Sequence, residues 1–162
     1  MHIRKAELED LNIIIEIYKN AIKYLNENKI YQWDEIYPNK AILEEDILKK
    51  EMYIGIVNNA IVSVVVINSE YDEHYDNFNW ECDNFAVIHR LCVNPVNQNQ
   101  KIGKNTMILI EELLKEKGIK SIRLDAFSLN PYSLRMYDNL GYKKVGETNW
   151  RKGLFYLFEK RI

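Results

Sequence analysis

The stretch from residue 89 to residue 118 constrains the fold of this chain more than any other part of the sequence. It begins with a short, partly β-branched run, residues 89–93, which Asn94-Pro95 ends because proline cannot continue a strand ladder. From Ile102 onward the apolar residues recur at the spacing of an amphipathic helix. The stretch therefore predicts a strand, a polar loop and a helix.

The loop between this strand and helix, residues 98–104, is suited to an anion. A loop that opens a helix presents free backbone N–H groups and the positive end of the helix dipole, which favour phosphate or pyrophosphate. Lys101 and Lys104 add mobile positive charge. A Walker phosphate loop is excluded, because GxxxxGK[ST] occurs nowhere in the chain. An ordinary βα unit without a ligand is the alternative interpretation.

Length and charge narrow the class of protein. With 162 residues, 47% hydrophobic and 28% charged, the chain is expected to form one globular domain over residues 1–162. A net charge of −2 argues against nucleic acid as a partner, and no apolar run approaches the ~20 residues that a membrane helix needs. Cys82, Cys92 and three histidines lack the spacing of a disulfide framework or a zinc site, so we expect no metal and a cytoplasmic location.

The order of elements along the chain is predicted to be β-α-α-β-β-β-α-β-α-β-β. The predicted strands are residues 2–5, 52–57, 60–67, 89–93, 121–127, 142–147 and 154–159, and the predicted helices begin near Leu11, Ala41, Ile102 and Asn130. Asn58-Asn59 suits a two-residue hairpin turn, because asparagine tolerates positive φ. The order is neither strictly alternating nor segregated, which indicates an α/β (α+β mixed) fold with helices packed on a mixed sheet.

A second motif lies near the C-terminus, and with the first it identifies a family resemblance. The motif consists of Asn130, Ser133, Tyr137, Gly141 and Tyr142. Each position also has a structural interpretation, as helix cap, filler, core aromatic, C-terminal glycine and strand residue. Together with the strand ending near V-x-P, Gln98 and Gly103, the motif resembles the GNAT superfamily of acyl-CoA N-acyltransferases. Lys101 departs from that family's pattern, which has a glycine at this position.

The resemblance implies a GNAT-like mixed, mostly antiparallel central sheet with helices on both faces, and acetyl-CoA as co-substrate. The backbone at the end of the central strand would pair with the pantetheine arm and polarise the thioester carbonyl. Loop N–H groups would hold the pyrophosphate. The residues implied in acetyl-CoA binding are Leu91, Cys92, Val93, Gln98, Asn99, Gln100, Lys101, Ile102, Gly103, Lys104, Asn130 and Ser133.

The resemblance also implies a catalytic role for Tyr137, near the thioester sulfur. An amine attacks the thioester and a thiolate leaves. Because tyrosine has a pKa of about 10 and a thiol about 8.5, Tyr137 can stay protonated and donate to the sulfur. The attacking ammonium must lose a proton, and Glu81, Asp83 and His89 are the candidate bases. A structural histidine, and a water chain in place of a dedicated base, are the alternatives.

Two aromatic segments are predicted to form the acceptor pocket. Tyr31, Trp33 and Tyr37 come from the first segment, and Trp80 comes from residues 69–84, which carry six carboxylates and no Lys or Arg. Aromatic faces with carboxylates favour a cation, although a solvated acidic loop is an equal alternative.

The resemblance implies an N-acetyltransferase that moves acetyl from acetyl-CoA to a primary amine of a small molecule, by direct attack in a ternary complex. A cationic acceptor is expected, with neither nucleic acid nor membrane as a partner, and a homodimer is one alternative for the assembly. The functional alternative is a non-catalytic acyl-CoA-binding or sensing module with the same fold.

Overall fold

The computed structural model describes residues 1–98 and 100–162, and its strands form one seven-stranded sheet. The strands are β1 (His2–Lys5), β2 (Met52–Val57), β3 (Ala60–Asn68), β4 (Phe85–Val93), β5 (Ser121–Phe127), β6 (Lys143–Trp150) and β7 (Gly153–Arg161). Their order across the sheet is β1-β2-β3-β4-β5-β7-β6. The pairing of β4 with β5 is parallel, and the other described pairings are antiparallel. The mixed, mostly antiparallel fold class is confirmed.

Four helices cover the two faces of this sheet. They are α1 (Leu11–Glu27), α2 (Lys40–Leu48), α3 (Ile102–Glu116) and α4 (Pro131–Asn139). The apolar sides of α1 and α2 share one buried cluster with alternate residues of β2 and β3. The apolar sides of α3 and α4 share a second cluster, on the other face, with β4, β5 and β7. Among the described residues, the helices are too short or too polar to cross a bilayer.

Local sequence signals explain most of these boundaries. Asn58 and Asn59 have φ of 49° and 62°, as a two-residue turn of this hairpin type requires. The Asn130 side chain accepts hydrogen bonds from the N–H groups of Tyr132 and Ser133 and so caps α4. Gly141 follows α4 with a φ of 84°, a conformation that glycine adopts without strain.

The predicted boundaries of three strands, β4, β6 and β7, were wrong. β4 begins at Phe85, four residues before the predicted start, because residues 85–88 pair with Ser121–Leu124 of β5, a partner distant in sequence. The last two strands are also longer than predicted, and the hairpin between them contains only Arg151 and Lys152. Their extra residues are held by cross-strand pairing.

The segment of residues 69–84 packs against the sheet and contains a short 3-10 helix, Glu73–Asn77. Tyr75 is only 1% exposed and forms a third buried cluster with Val87 and Leu157. Phe78 lies so close to Gly146 that any side chain at that glycine would collide with its ring. The aromatic residues of this acidic stretch therefore serve largely as core.

Candidate active site

The sheet opens where β4 and β5 separate. Their parallel pairing extends only from Phe85–Ile88 on β4 and from Ser121–Leu124 on β5, while both strands continue beyond it. A cavity of about 1320 Å³ lies at this fork, lined by residues 88–93 of β4 and 125–127 of β5. This volume exceeds the ~300–1,000 Å³ of typical small-molecule sites, so the cavity can hold two substrates.

One end of the cavity, formed by the start of α3 and by α4, is suited to a pyrophosphate. The first helical hydrogen bond of α3 runs from the N–H of Asn105 to the carbonyl of Lys101, so the N–H groups of residues 102–104 precede the helical ladder. Lys101, Lys104 and Arg135 line the same end. Free N–H donors, the helix dipole and three cations together fit the phosphates of a CoA-type substrate.

Two residues of this end have unusual backbone requirements. Lys101 is the N-cap of α3 and has a φ of 59°, in the left-handed region that favours glycine. The departure from the family pattern therefore lies at a position where glycine would be less strained. At Gly103, a Cβ atom would lie 3.0 Å from Sδ of Met136 and 3.4 Å from Cγ2 of Val93. Glycine there lets α3 begin close against α4 and β4.

A bulge in β4 forms the middle of the cavity wall. Val64 and Val66 of β3 pair with Cys92 and His89, so two residues of β4 face one of β3, and Arg90 has a φ of 53°. The hydroxyl of Tyr18 donates to the carbonyl of Arg90 at 2.6 Å and fixes this conformation.

The bulge directs the Arg90 side chain toward α2. Its Nη2 donates to Oδ1 of Asp46 at 2.6 Å and its Nη1 to the hydroxyl of Tyr37 at 2.7 Å. This network holds Tyr37 in the cavity wall, and sequence patterns gave no indication of it.

Asp125 is a carboxylate of the cavity that the sequence interpretation missed. It lies on β5 just beyond the fork and lines the cavity. Burial raises its pKa from an ordinary 3.8 to about 6, while a hydrogen bond of 3.0 Å from the hydroxyl of Tyr75 acts in the opposite direction. The available signal was a single acidic residue in an otherwise apolar stretch of strand, Leu-Asp-Ala-Phe.

Tyr137 lines the same cavity from α4. Its ring packs against Tyr142 and Phe158 with centroid separations of 5.6 and 6.2 Å. Burial, and then the negative charge of Asp125, raise the pKa of Tyr137 well above its ordinary value. The phenol is therefore a proton-bearing donor across the physiological pH range.

The sequence-predicted bases occupy different positions. His89 lines the cavity, and its Nε2 lies 2.9 Å from Oδ1 of Asn68 and 3.0 Å from the carbonyl of Glu70. Both neighbours are acceptors, so Nε2 carries the proton, and burial lowers the pKa of His89 to about 4. Glu81 is exposed and does not line the cavity, and its backbone N–H donates to Glu159. His89 is thus a neutral wall residue, and Glu81 lies away from the site.

Of the residues predicted to bind the acceptor, some line the cavity and others lie outside it. Trp33 and Tyr37 line the cavity, whereas Tyr31 is 54% exposed and outside its lining. Trp80 is also outside, because its Nε1 donates to the carbonyl of Tyr75 at 2.7 Å and its ring stacks on that tyrosine. Of the six carboxylates in residues 69–84, Asp72 lines the cavity.

The predicted donor residues lie together, with two exceptions. Leu91, Cys92, Val93, Gln98, Lys101, Ile102, Gly103, Lys104, Asn130 and Ser133 line the cavity. Gln100 is exposed and outside the lining, and Asn99 falls outside the described residues. The side chain of Asn130 caps α4 and also donates to Oε1 of Gln32 at 2.7 Å. Its amide is therefore already engaged by the protein.

Ion pairs also connect the loop between α1 and α2 to the β6–β7 hairpin across the cavity. Asp34 accepts from Arg151 at 2.8 and 3.0 Å and from Lys152 at 3.1 Å. The hydrogen bonds from Arg151, and to a smaller extent that from Lys152, lower the pKa of Asp34. Trp33, next to this carboxylate, is held at the cavity wall by the same connection.

A buried carboxylate, a protonated phenol and a helix start suited to an anion line one cavity at the fork of the sheet. This arrangement is typical of an enzyme that transfers a group from a phosphate-bearing donor. Residues 17–142 match the model of the Acetyltransferase (GNAT) family. This chain belongs to that family and is an acyl-CoA-dependent N-acyltransferase with acetyl-CoA as co-substrate. The predicted family, enzyme class and donor are confirmed.

Individual relatives are similar over nearly their whole length. The spermidine N(1)-acetyltransferase of Thermoplasma acidophilum is 24% identical over 172 residues, which cover 99% of this chain and 97% of the relative. A GNAT-family acetyltransferase from Streptococcus agalactiae has a TM-score of 0.86 at 19% identity, with 99% and 95% of the two chains covered. The PaiA N-acetyltransferase of Thermoplasma acidophilum, solved with coenzyme A, has a TM-score of 0.75 at 22% identity, with 99% and 98% covered.

Proposed function

We propose that the protein transfers the acetyl group of acetyl-CoA to a primary amine of a small, cationic molecule, by direct attack in a ternary complex. The observation that carries the proposal is that the donor residues of α3 and the pair Asp125 and Tyr137 line one cavity. An acceptor amine and the donor thioester can therefore meet without crossing solvent.

Asp125 is the proposed base. An alkyl ammonium with a pKa of about 10 must lose a proton before it attacks a carbonyl carbon. A carboxylate with a pKa of about 6 is ionised at neutral pH, binds the ammonium, and is more basic than an ordinary aspartate. The hydroxyl of Tyr75 orients this carboxylate through its 3.0 Å hydrogen bond.

Tyr137 is the proposed donor to the departing sulfur. Its raised pKa keeps the phenol protonated. The thiolate of CoA would accept this hydrogen bond as the carbon–sulfur bond breaks. The N–H groups of residues 91–93 remain the proposed donors to the thioester oxygen.

The aromatic end of the cavity supports a cationic acceptor. Tyr37, Tyr71 and Trp33 supply ring faces, and Asp72 and Asp125 supply carboxylates. The similarity to a spermidine acetyltransferase over nearly the full length favours a polyamine or a related amine.

Free thiols at Cys82 and Cys92 are consistent with the proposed cytoplasmic location.

The test is thiol release from acetyl-CoA with separate amines. Spermidine, a basic amino acid, a neutral aryl amine and a peptide with a free α-amine form the panel. We expect release with the cationic amines and the mass of a monoacetylated product. Binding of CoA without acetylation of any amine would favour the alternative, a non-catalytic sensing module.

A further inference from the structure

A second, smaller cavity of about 420 Å³ adjoins the acceptor end of the first. Tyr37, Tyr71, Asp72, His89 and Arg90 line both cavities, so a wall one side chain thick separates them. The aromatic rings of Tyr37 and Tyr71 belong to that wall. The hydrocarbon part of an acceptor can pack on these rings while its ends lie in different cavities.

The second cavity, here called the distal pocket, is acidic. Its carboxylates are Glu45, Asp46, Glu51, Glu70 and Asp72, against the cationic side chains Lys49 and Arg90. Since burial lowers the pKa of His89 to about 4, that histidine adds no charge at neutral pH. The pocket therefore carries an excess of negative charge.

One carboxylate oxygen of the distal pocket has no partner among the described residues. Asp46 is buried, with 8% of its side chain exposed, and its Oδ1 pairs with Arg90 at 2.6 Å. Its Oδ2 is buried and accepts no hydrogen bond from the described part of the chain. A buried, unpaired carboxylate oxygen is costly unless a cation or donor satisfies it.

An ammonium group already lies among these carboxylates. Nζ of Lys49 is 3.0 Å from Oε1 of Glu45 and 3.7 Å from Oε1 of Glu70, and its side chain is 42% exposed. The spacing of Glu45 and Glu70 is thus suited to one ammonium between them. Because Lys49 is a flexible surface side chain, a ligand ammonium can replace it at small cost.

We propose that the distal pocket binds the second ammonium of a di- or polyamine acceptor whose first amine is acetylated beside Asp125. This inference rests on the proposed function and deepens it, because it makes a second positive charge a determinant of specificity. Glu45 and Glu70 pair with the distal ammonium, and the methylene chain crosses the rings of Tyr37 and Tyr71.

The experiment compares spermidine and putrescine with butylamine, which presents the same primary amine without a second charge. We expect the double variant Glu45→Gln/Glu70→Gln to lower kcat/KM for spermidine about two- to thirtyfold, the effect of two ion pairs at exposed carboxylates, with a much smaller change for butylamine. The matched control is Glu44→Gln/Glu73→Gln, which removes the same charge from neighbouring positions outside both cavities. Equal kcat/KM for spermidine in the double variant and the wild type would overturn the proposal.

Two further measurements separate this inference from the proposed function. Lys49→Met removes the competing ammonium, so the KM for spermidine should fall, and an unchanged or higher KM counts against the distal pocket. Calorimetric titration of spermidine into the CoA-bound protein tests binding without turnover. If no amine is acetylated, the proposed function fails, but the calorimetric result still decides the distal pocket. A loss of spermidine affinity in Glu45→Gln/Glu70→Gln would support the pocket, and an unchanged affinity would refute it.

Discussion

Replacing Asp125 with asparagine should make the protein slower and, at the same time, more stable. Asparagine keeps an oxygen that can accept from the hydroxyl of Tyr75, and it removes both the base and the buried charge. If Asp125 is the general base, turnover at pH 8 should fall by the ~10²–10⁴-fold typical of such groups. A residue with a purely structural role would not combine lost activity with gained stability.

The stability change follows from the raised pKa of Asp125. In the unfolded chain the carboxyl titrates near 3.8 and in the folded protein near 6, a difference equivalent to about 3 kcal/mol. Because the folded pKa is raised, this contribution is fully present below pH 3.8 and is lost as the pH rises through about 6. At pH 8, Asp125→Asn should therefore be more stable than the wild type by at most about 3 kcal/mol, since water in the cavity screens part of the charge.

Two assays decide the prediction. Thermal unfolding at pH 4 and pH 8 should show similar midpoints for Asp125→Asn and wild type at pH 4, and at pH 8 a higher midpoint for the variant, by up to ~6–12 °C. Thiol release by the wild type should increase as the pH rises through about 6, and the variant should lack this step. The control is Glu81→Gln, which lies outside the cavity and should keep wild-type turnover. Full turnover in Asp125→Asn would refute the base, and an unchanged midpoint at pH 8 would refute the burial argument.

Three other substitutions test neighbouring parts of the site. Tyr137→Phe should lower kcat roughly 10²–10⁴-fold with little change in acetyl-CoA affinity, measured by steady-state kinetics and calorimetry, and unchanged chemistry would make the tyrosine a core residue only. Tyr75→Phe removes a hydrogen bond that lowers the pKa of Asp125, so the acid side of the pH–rate profile should move to higher pH, and a shift to lower pH would contradict this. Lys101→Gly should raise the free energy of unfolding by roughly 0.5–1 kcal/mol and preserve or tighten CoA binding, because φ is 59° at this position. The control Lys104→Gly, in the first turn of α3, should instead lower the free energy of unfolding, by up to about 1 kcal/mol. A clear loss of CoA affinity in Lys101→Gly would instead indicate that the Lys ammonium holds the phosphate.

The sequence predicted those parts of the fold that depend on neighbouring residues. Asn58-Asn59, the Asn130 cap and Gly141 adopt the expected conformations because turns and caps are decided within a few residues. The donor end of the cavity could equally be predicted from the sequence, because its strand, loop and α3 are consecutive in the chain.

The parts that sequence could not supply depend on contacts between distant segments. Asp125 acquires its raised pKa from burial at the fork and its orientation from Tyr75, fifty residues away in the sequence. The distal pocket combines α2, the end of β3, residues 70–72 and the bulge of β4, so its carboxylates come from segments that are distant in the sequence. Trp80 was predicted at the acceptor because it is aromatic, but its Nε1 had a backbone partner that only the fold reveals.

The short parallel pairing of β4 with β5 also bears on how the protein opens under native conditions. Four residues of each strand join the β1–β4 portion of the sheet to the β5–β7 portion. Beyond them, the edge of β4 opposite β3 faces the fork. Local opening occurs in cooperative units, so without donor we expect the two portions to exchange their amide hydrogens at different rates. A pantetheine arm bridging the fork would bring both portions into one unit, with a common, slower exchange rate. The acyl-CoA concentration would then determine whether the sheet behaves mechanically as two bodies or as one.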